Sequence, residues 1–440
     1  MPKDEGTVSP VPIEAGYKSR LKKPLEFWHN LGPGLTTGAS DDDPSGITTY
    51  SQAGAQYGFR FLWMAPFTLP FMAVVQEMCA RIGLVTGRGL AANIRKHFPK
   101  PVLYACAALL FIANSFNIGA NLGAMAKAAQ LLMPSLNFGA LVCGFALVSL
   151  FFEIFSSYQR YSKYLKWLAL VLFAYIFSSL SVPHLDWDSV IKQTFTVHFE
   201  WNREFLIMVC ALLGTTISPY LFFWQTSQEV EEEILAGKTS IAQRVRETSP
   251  TDIKKMRTDV WSGMILANIV MFFIMVACGA TLFTSGHNTI TTAADAANAL
   301  RPFAGDTAYL LFAFAIIGTG LLSIPVLAGS SSYAISESFG WKEGLYRRLN
   351  KAKAFYGIIA ASTIAGLLMN FVGIDPIKAL IYAAVLNGII APIVLFLIVI
   401  LASNKKIMGE WVNTPVRASL GWIIAIVMTL AGIGAIWALI

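Results

Sequence analysis

The sequence predicts an all-α polytopic membrane protein of about eleven transmembrane helices, built as two inverted five-helix repeats plus one extra helix. Three observations carry this. The 440 residues are 55% hydrophobic and only 13% charged, with a mean hydropathy of +0.58, which excludes an ordinary soluble enzyme. Apolar stretches of roughly 20 residues, the length a bilayer requires, recur along the whole chain. The first and sixth of them are each interrupted by a proline among small and hydroxyl residues, five spans apart, as two inverted repeats would give.

The spans are expected from about Leu31 to Tyr57, Phe61 to Leu84, Pro101 to Met133, Leu136 to Phe155 and Tyr164 to Val182. Further spans run from about Phe205 to Thr226, Asp259 to Phe283, Ala308 to Tyr333, Ala354 to Val372, Ile377 to Leu401 and Ala418 to Ile440. Residues 1–27 then form a cytoplasmic N-terminal segment and residues 28–440 a single membrane domain. The charged stretch 228–257, with Glu229, Glu231, Glu232 and Glu233, reads as a cytoplasmic connection, a short charged helix followed by a flexible part, whose acids face water.

Charge placement supports an orientation. With the N-terminus inside and the C-terminus outside, only Arg60, Lys127, Lys192, Arg203, Arg301 and Lys378 of the 33 Lys and Arg fall on the outer side. This is the positive-inside pattern. The net charge of +7 is therefore topological and calls for no nucleic acid. No cleavable signal is apparent in the polar residues 1–23. The five cysteines lie in or beside the spans without a CxxC pair, so neither a disulfide framework nor a structural zinc site is suggested.

The chemistry is expected at the two interruptions. Asp43 stands in the middle of the first span, inside Asp43-Pro44-Ser45-Gly46. A carboxylate at that depth costs about 2.5–3.5 kcal/mol and marks function by default. Pro44 removes a backbone donor and Gly46 adds freedom, so the helix breaks at the acid. The sixth span repeats the device in Gly214-Thr215-Thr216-Ile217-Ser218-Pro219-Tyr220. Carbonyls freed at such breaks bind cations where they line a protein cavity. Asp41 and Asp42 either attract cations and add outer ligands or point into water along the access path. Asn387 in the tenth span is a second-layer hydrogen-bond donor or a packing residue. Glu77 and Glu153 are expected to pair with Arg81 and Lys163, and Asp259 to open the seventh helix.

In these residues the chain resembles the NRAMP family of divalent-metal transporters, whose repeats are LeuT-like. The resemblance extends over nearly the whole chain from Trp28. It rests on Gly32-Pro33 leading to Asp43-Pro44, Ala53-Gly54-Ala55-Gln56-Tyr57-Gly58, Ala80-Arg81-Ile82-Gly83 through Gly87-Arg88, and Asn404-Lys405-Lys406 through Glu410-Trp411. It implies a metal site formed by Asp43 and the Thr215 carbonyl. The departures are informative. Ser45 and Gly46 fill the last two places of the family's Asp-Pro-Gly-Asn motif, so the asparagine ligand is absent. Ser218 stands where the family has methionine, and Tyr220 and Gln225 stand at its two histidines. Asn117 and Ala120 fall at the acids of its third helix.

Replacing a soft thioether by a hydroxyl leaves an oxygen-lined site suited to a hard cation. Mg2+ is usually held through one or two carboxylates with several waters retained. The expectation is therefore a carrier in the NRAMP-related magnesium branch, with Asp43, Ser45, Gly46, Thr215 and Ser218 at the metal and Pro44 and Pro219 at the breaks. The substitutions at the histidines and acids imply weak or absent proton coupling. The transported Mg2+ or Mn2+ is the only ion implied, with no cofactor. The bilayer is the other partner, and no obligate protein partner is evident. The alternatives are a proton-coupled Mn2+/Fe2+ carrier, an organic-solute transporter of the same fold, an intramembrane aspartyl enzyme, and a scaffold. Asp43 would repel an organic carboxylate, an aspartyl enzyme lacks a second mid-membrane acid outside the Asp41–Asp43 triplet, and a scaffold gives no reason for matched breaks.

Overall fold

A computed structural model describes residues 32–155, 170–286 and 289–440. The N-terminal segment, most of the fifth span's first half and Lys163 lie outside the described residues, within which every regular element is helical. In chain order these are α1 (Pro33–Asp41), α2 (Pro44–Tyr57), α3 (Met64–Thr86), α4 (Leu90–His97), α5 (Lys100–Leu132), α6 (Phe138–Phe155), α7 (Phe173–Ser181) and α8 (Trp187–Thr194). The second half adds α9 (Arg203–Thr216), α10 (Pro219–Leu235), α11 (Ile241–Glu247), α12 (Pro250–Cys278), α13 (Ala293–Ala297), α14 (Arg301–Ala304) and α15 (Ala308–Phe339). It ends with α16 (Lys353–Met369), α17 (Pro376–Ala402), α18 (Lys405–Met408) and α19 (Pro415–Leu439).

Among the described residues, 8 helical stretches are long and apolar enough to cross a membrane. The other three expected spans fall short for separate reasons. The first is divided into pieces of 9 and 14 residues. The ninth, α16, has 17 residues, and the fifth is described only from Leu170 onward.

The two broken helices pack in matching ways. α2 meets α12 at Gly54, where a Cβ would stand 2.6 Å from the Met275 carbonyl oxygen. α10 meets α3 at Gly83, where a Cβ would stand 2.3 Å from the Thr226 carbonyl oxygen. Each broken helix of one repeat thus lies backbone-close on the second helix of the other, and no larger residue fits at either glycine. The connections sort to two ends. Arg60 pairs with Glu200 at 2.7 Å at the end expected outside. At the opposite end Arg244 Nη2 donates to the Gly87 carbonyl at 3.0 Å, and Glu337 accepts from the Ala92 amide at 2.9 Å.

Two sequence expectations change. Residues 228–235 are helical, as the last turns of α10, but Glu229, Glu231 and Glu233 are buried rather than facing water, while Glu232 is exposed. The acids turn inward because partners await them: Gln225 for Glu229 at 2.8 Å, Tyr333 and the Leu345 amide for Glu231, Lys238 for Glu233 at 3.1 Å. Nor does Asp259 open the seventh helix. A Ser249–Asp252 capping box starts α12 at Pro250. Asp259, more than two turns further in, accepts from the amides of Gly32 (2.8 Å), Gly34 (2.7 Å) and Leu35 (3.2 Å). It caps α1, a helix remote in sequence, and supplies the negative charge favoured at a helix N-terminus.

Candidate functional site

Both interruptions form as the prolines demand. α1 ends at Asp41, Asp42 leaves helical geometry at φ −82°, ψ 53°, and Asp43 is the extended N-cap of α2 with Pro44 as its first residue. α9 ends at Thr216, Ile217 departs at φ −125°, ψ 63°, and Ser218 is the extended N-cap of α10 before Pro219. All of these residues are buried.

The Asp43 carboxylate is held from two directions. Its Oδ1 accepts the Gly46 amide at 2.8 Å, as an N-cap does. Its Oδ2 accepts from Asn121 Nδ2 at 3.1 Å and Asn117 Nδ2 at 3.3 Å, both on α5. Asn121 also reaches Ser323 Oγ on α15 at 3.1 Å. The amide oxygens of Asn117 and Asn121 have no hydrogen-bond partner. Turning either amide over would therefore present an acceptor where a donor now stands.

Asn121 is a site residue that the sequence reading missed. The signal was available: Asn114, Asn117 and Asn121 recur at i, i+3 and i+7 on an otherwise apolar membrane helix, and so share one face. Asn114 follows the same logic, donating to the Leu327 carbonyl and to Ser331 Oγ at 3.0 Å each. Ala120 is buried but carries no polar group.

Gly46 faces the second break. A Cβ there would lie 3.1 Å from the Asp41 carbonyl and 3.2 Å from Thr215 Oγ1. The space that glycine opens is therefore taken up by the Thr215 hydroxyl and the Asp41 backbone, and in this conformation the point is closed. Ser45 turns away and donates to the Leu380 carbonyl on α17 at 2.9 Å. Ser218 donates to the Gly214 and Thr215 carbonyls at 2.7 and 3.0 Å, so its proton covers the oxygens freed by the break while its lone pairs stay available. Tyr220 Oη does likewise for the Ser40 carbonyl of α1, at 3.1 Å. Gln225 belongs to a chain along the inner side, accepting from Thr37 Oγ1 and donating to Glu229. Asn387 is buried on α17 with its amide oxygen unpartnered.

Electrostatics single out the first break. Asp41, Asp42 and Asp43 are 1%, 2% and 1% exposed. Both oxygens of Asp41 and Oδ1 of Asp42 lack a hydrogen-bond partner. Burying carboxylates without compensation is costly, and a cation or proton relieves it. Among the described residues no three His, Cys, Asp or Glu side chains converge as a ligand set. Asp43 is the acid framed by hydroxyl, amide and backbone groups of the neighbouring helices, with the Asp41 and Asp42 carboxylates beside it in the chain. Met125, one turn beyond Asn121, packs its sulfur toward Gly320 beside Pro44.

The chain is similar to known membrane transporters in sequence and fold. A divalent metal cation transporter, MntH, of Klebsiella pneumoniae is 26% identical over 413 residues, covering 91% of this chain and 92% of its own. A crystal structure of the Eremococcus coleocola manganese transporter, in complex with an aromatic bis-isothiourea substituted compound, superposes with a TM-score of 0.69 at 17% identity. The superposition covers 98% of this chain and 90% of that one. Mhp1, a nucleobase-cation-symport-1 family transporter in a closed conformation with bromovinylhydantoin bound, gives 0.52 at 15% identity over 93% and 92% of the two chains. The family model described as natural resistance-associated macrophage protein-like, Nramp, matches residues 34–438, and the chain belongs to that family.

Proposed function

We propose that this protein carries divalent metal cations across the cell membrane by alternating access, that Mg2+ is its main cargo with Mn2+ also accepted, and that transport is weakly or not coupled to protons. The N-terminus lies in the cytoplasm. Family membership and the MntH relative support the divalent-cation class. The observation that carries the rest is the oxygen-and-amide surround of Asp43: Asn117, Asn121, Thr215 and Ser218 line the breaks without imidazole. Such a donor set suits a hard ion that keeps part of its water. No coupling is needed for uptake, because a negative-inside potential of −100 mV favours entry of a divalent ion by roughly 4–5 kcal/mol.

Asp43 supplies the charge and a direct or water-mediated bond. Asn117 and Asn121 orient that carboxylate and exchange donor for acceptor when an ion enters. Thr215, Gly46 and Ser218 shape the neutral wall, with Ser45 tethering α2 to α17. Pro44 and Pro219 keep the helices open, and the Thr37–Gln225–Glu229 chain closes the inner side. A second reading, a proton-coupled Mn2+ carrier, draws on the Met125 sulfur beside Pro44.

Proteoliposomes holding a magnesium dye and a pH dye separate the two. Mg2+ entry without acidification, absent in Asp43→Ala, is the expected result. Mn2+ entry with proton influx and no Mg2+ entry overturns the proposal in favour of the second reading.

A further inference from the structure

We infer that Arg81, Arg257 and Arg417, gathered around Glu77 where α3, α12 and α19 meet, form a binding site for the phosphate of an anionic phospholipid. Glu77 Oε1 lies 3.5 Å from Arg81 Nη1, 3.1 Å from Arg257 Nε and 3.3 Å from Arg417 Nε. Its Oε2 accepts from Trp261 Nε1 at 3.1 Å. One carboxylate thus faces three guanidinium groups, and two positive charges are left without a counter-charge in the cluster.

The site is built rather than a scatter of surface charge. The Arg81 side chain is 2% exposed, its Nη2 is bound by Asn413, and its Nε has no partner. Each arginine carries five N–H donors in a fixed fork, and contact with a single carboxylate oxygen leaves most of them for another acceptor. Arg257 and Arg417 are 40% and 23% exposed, so the cluster opens outward past them. Arg417 stands in the first turn of α19, whose N-terminus adds partial positive charge.

Topological lysines explain none of this. Residues such as Lys254 and Lys255 meet the positive-inside pattern while exposed to water, whereas buried Arg81 and the two partly exposed guanidiniums beside it share a single carboxylate, and a further anion at their open side would offset their mutual repulsion. The flanks favour a lipid over a free phosphate. Ile265, an exposed apolar side chain on α12, lies about two turns beyond Arg257 and about 80° round the helix from it. A phosphate bound by the arginines would leave its acyl chains along this side of α12. Basic pockets between membrane helices are known to hold anionic headgroups. The inference involves none of the residues at the two helix breaks and stands apart from the cargo proposal.

The test is thermal unfolding of the full-length protein in neutral detergent with added phosphatidylglycerol, phosphatidylcholine or millimolar inorganic phosphate, alongside native mass spectrometry of lipid retained. Phosphatidylglycerol is expected to raise the melting temperature by several degrees over phosphatidylcholine, and inorganic phosphate to leave it unchanged. The shift should fall by at least half in Arg417→Gln and persist in the double variant Lys254→Gln, Lys255→Gln. Should Arg417→Gln fail to fold, the lysine control and preferential retention of phosphatidylglycerol by the wild type still decide. Equal effects of the two lipids, a full shift in Arg417→Gln, loss of the shift in the lysine variant, or an equal effect of inorganic phosphate would each overturn the inference.

Discussion

The break between α1 and α2 and the break between α9 and α10 share a backbone plan but differ in what they leave unsatisfied. Each has a residue out of helical geometry, an extended N-cap and a proline at the first position of the following half-helix. At the second break the freed carbonyls are covered locally, by Ser218 on Gly214 and Thr215. At the first, three consecutive aspartates are buried: Asp41 and Asp42 keep oxygens without partners, and Asp43 is held by the Gly46 amide and by two side-chain amides that can turn over. The same break therefore leaves buried acid oxygens unsatisfied when acids occupy it and a neutral wall when hydroxyls do, and the proposed cation site falls at the former.

Removing the charge is the most direct way to break the comparison. Asp43→Ala is expected to cut Mg2+ affinity about 100-fold or more, about 3 kcal/mol, and to bring flux to the liposome background. Asn121→Leu keeps the charge but removes one of its two side-chain amide donors. Flux should fall about tenfold, about 1.4 kcal/mol, with the protein still folded by size-exclusion chromatography.

Ser218→Met sharpens the comparison by placing a soft ligand on the neutral wall. Competition assays should show the preference for Mn2+ over Mg2+ rising about tenfold. Ser218→Ala leaves the Gly214 and Thr215 carbonyls without their hydroxyl donor, so a loss of about 1–3 kcal/mol in stability and a few-fold loss of flux are expected. Ser45→Ala is the mildest, removing a single hydroxyl-to-carbonyl tether to Leu380. About 1 kcal/mol of stability should go, read as a lower melting temperature, with flux within twofold.

Much of this was legible in the sequence because the signals are one-dimensional. Apolar stretches give span number, and proline next to a charge or hydroxyl at membrane depth gives the breaks, so Asp43, Pro44, Thr215, Ser218 and Pro219 were readable. Azimuth was harder. Hydropathy says how deep a residue sits and not which neighbour it faces, so Ser45 was placed at the metal although it bonds α17. The glutamate run was read as solvated because the sequence does not display the Gln225, Tyr333 and Leu345 groups that bury it. Asp259 was assigned to its own helix because its true partner, the N-terminus of α1, lies more than 220 residues away. Asn121 differs from these, since its spacing from Asn114 and Asn117 already placed the three amides on one face.

The most direct test of the account is the position of a bound ion. In crystals soaked with Mn2+ as an X-ray-visible stand-in for Mg2+, an anomalous peak is predicted within direct or one-water distance of the Asp43 carboxylate, facing Thr215, and lost in Asp43→Ala. A peak at the second break alone, or one that survives the loss of Asp43, would contradict the assignment of the site to the charged break.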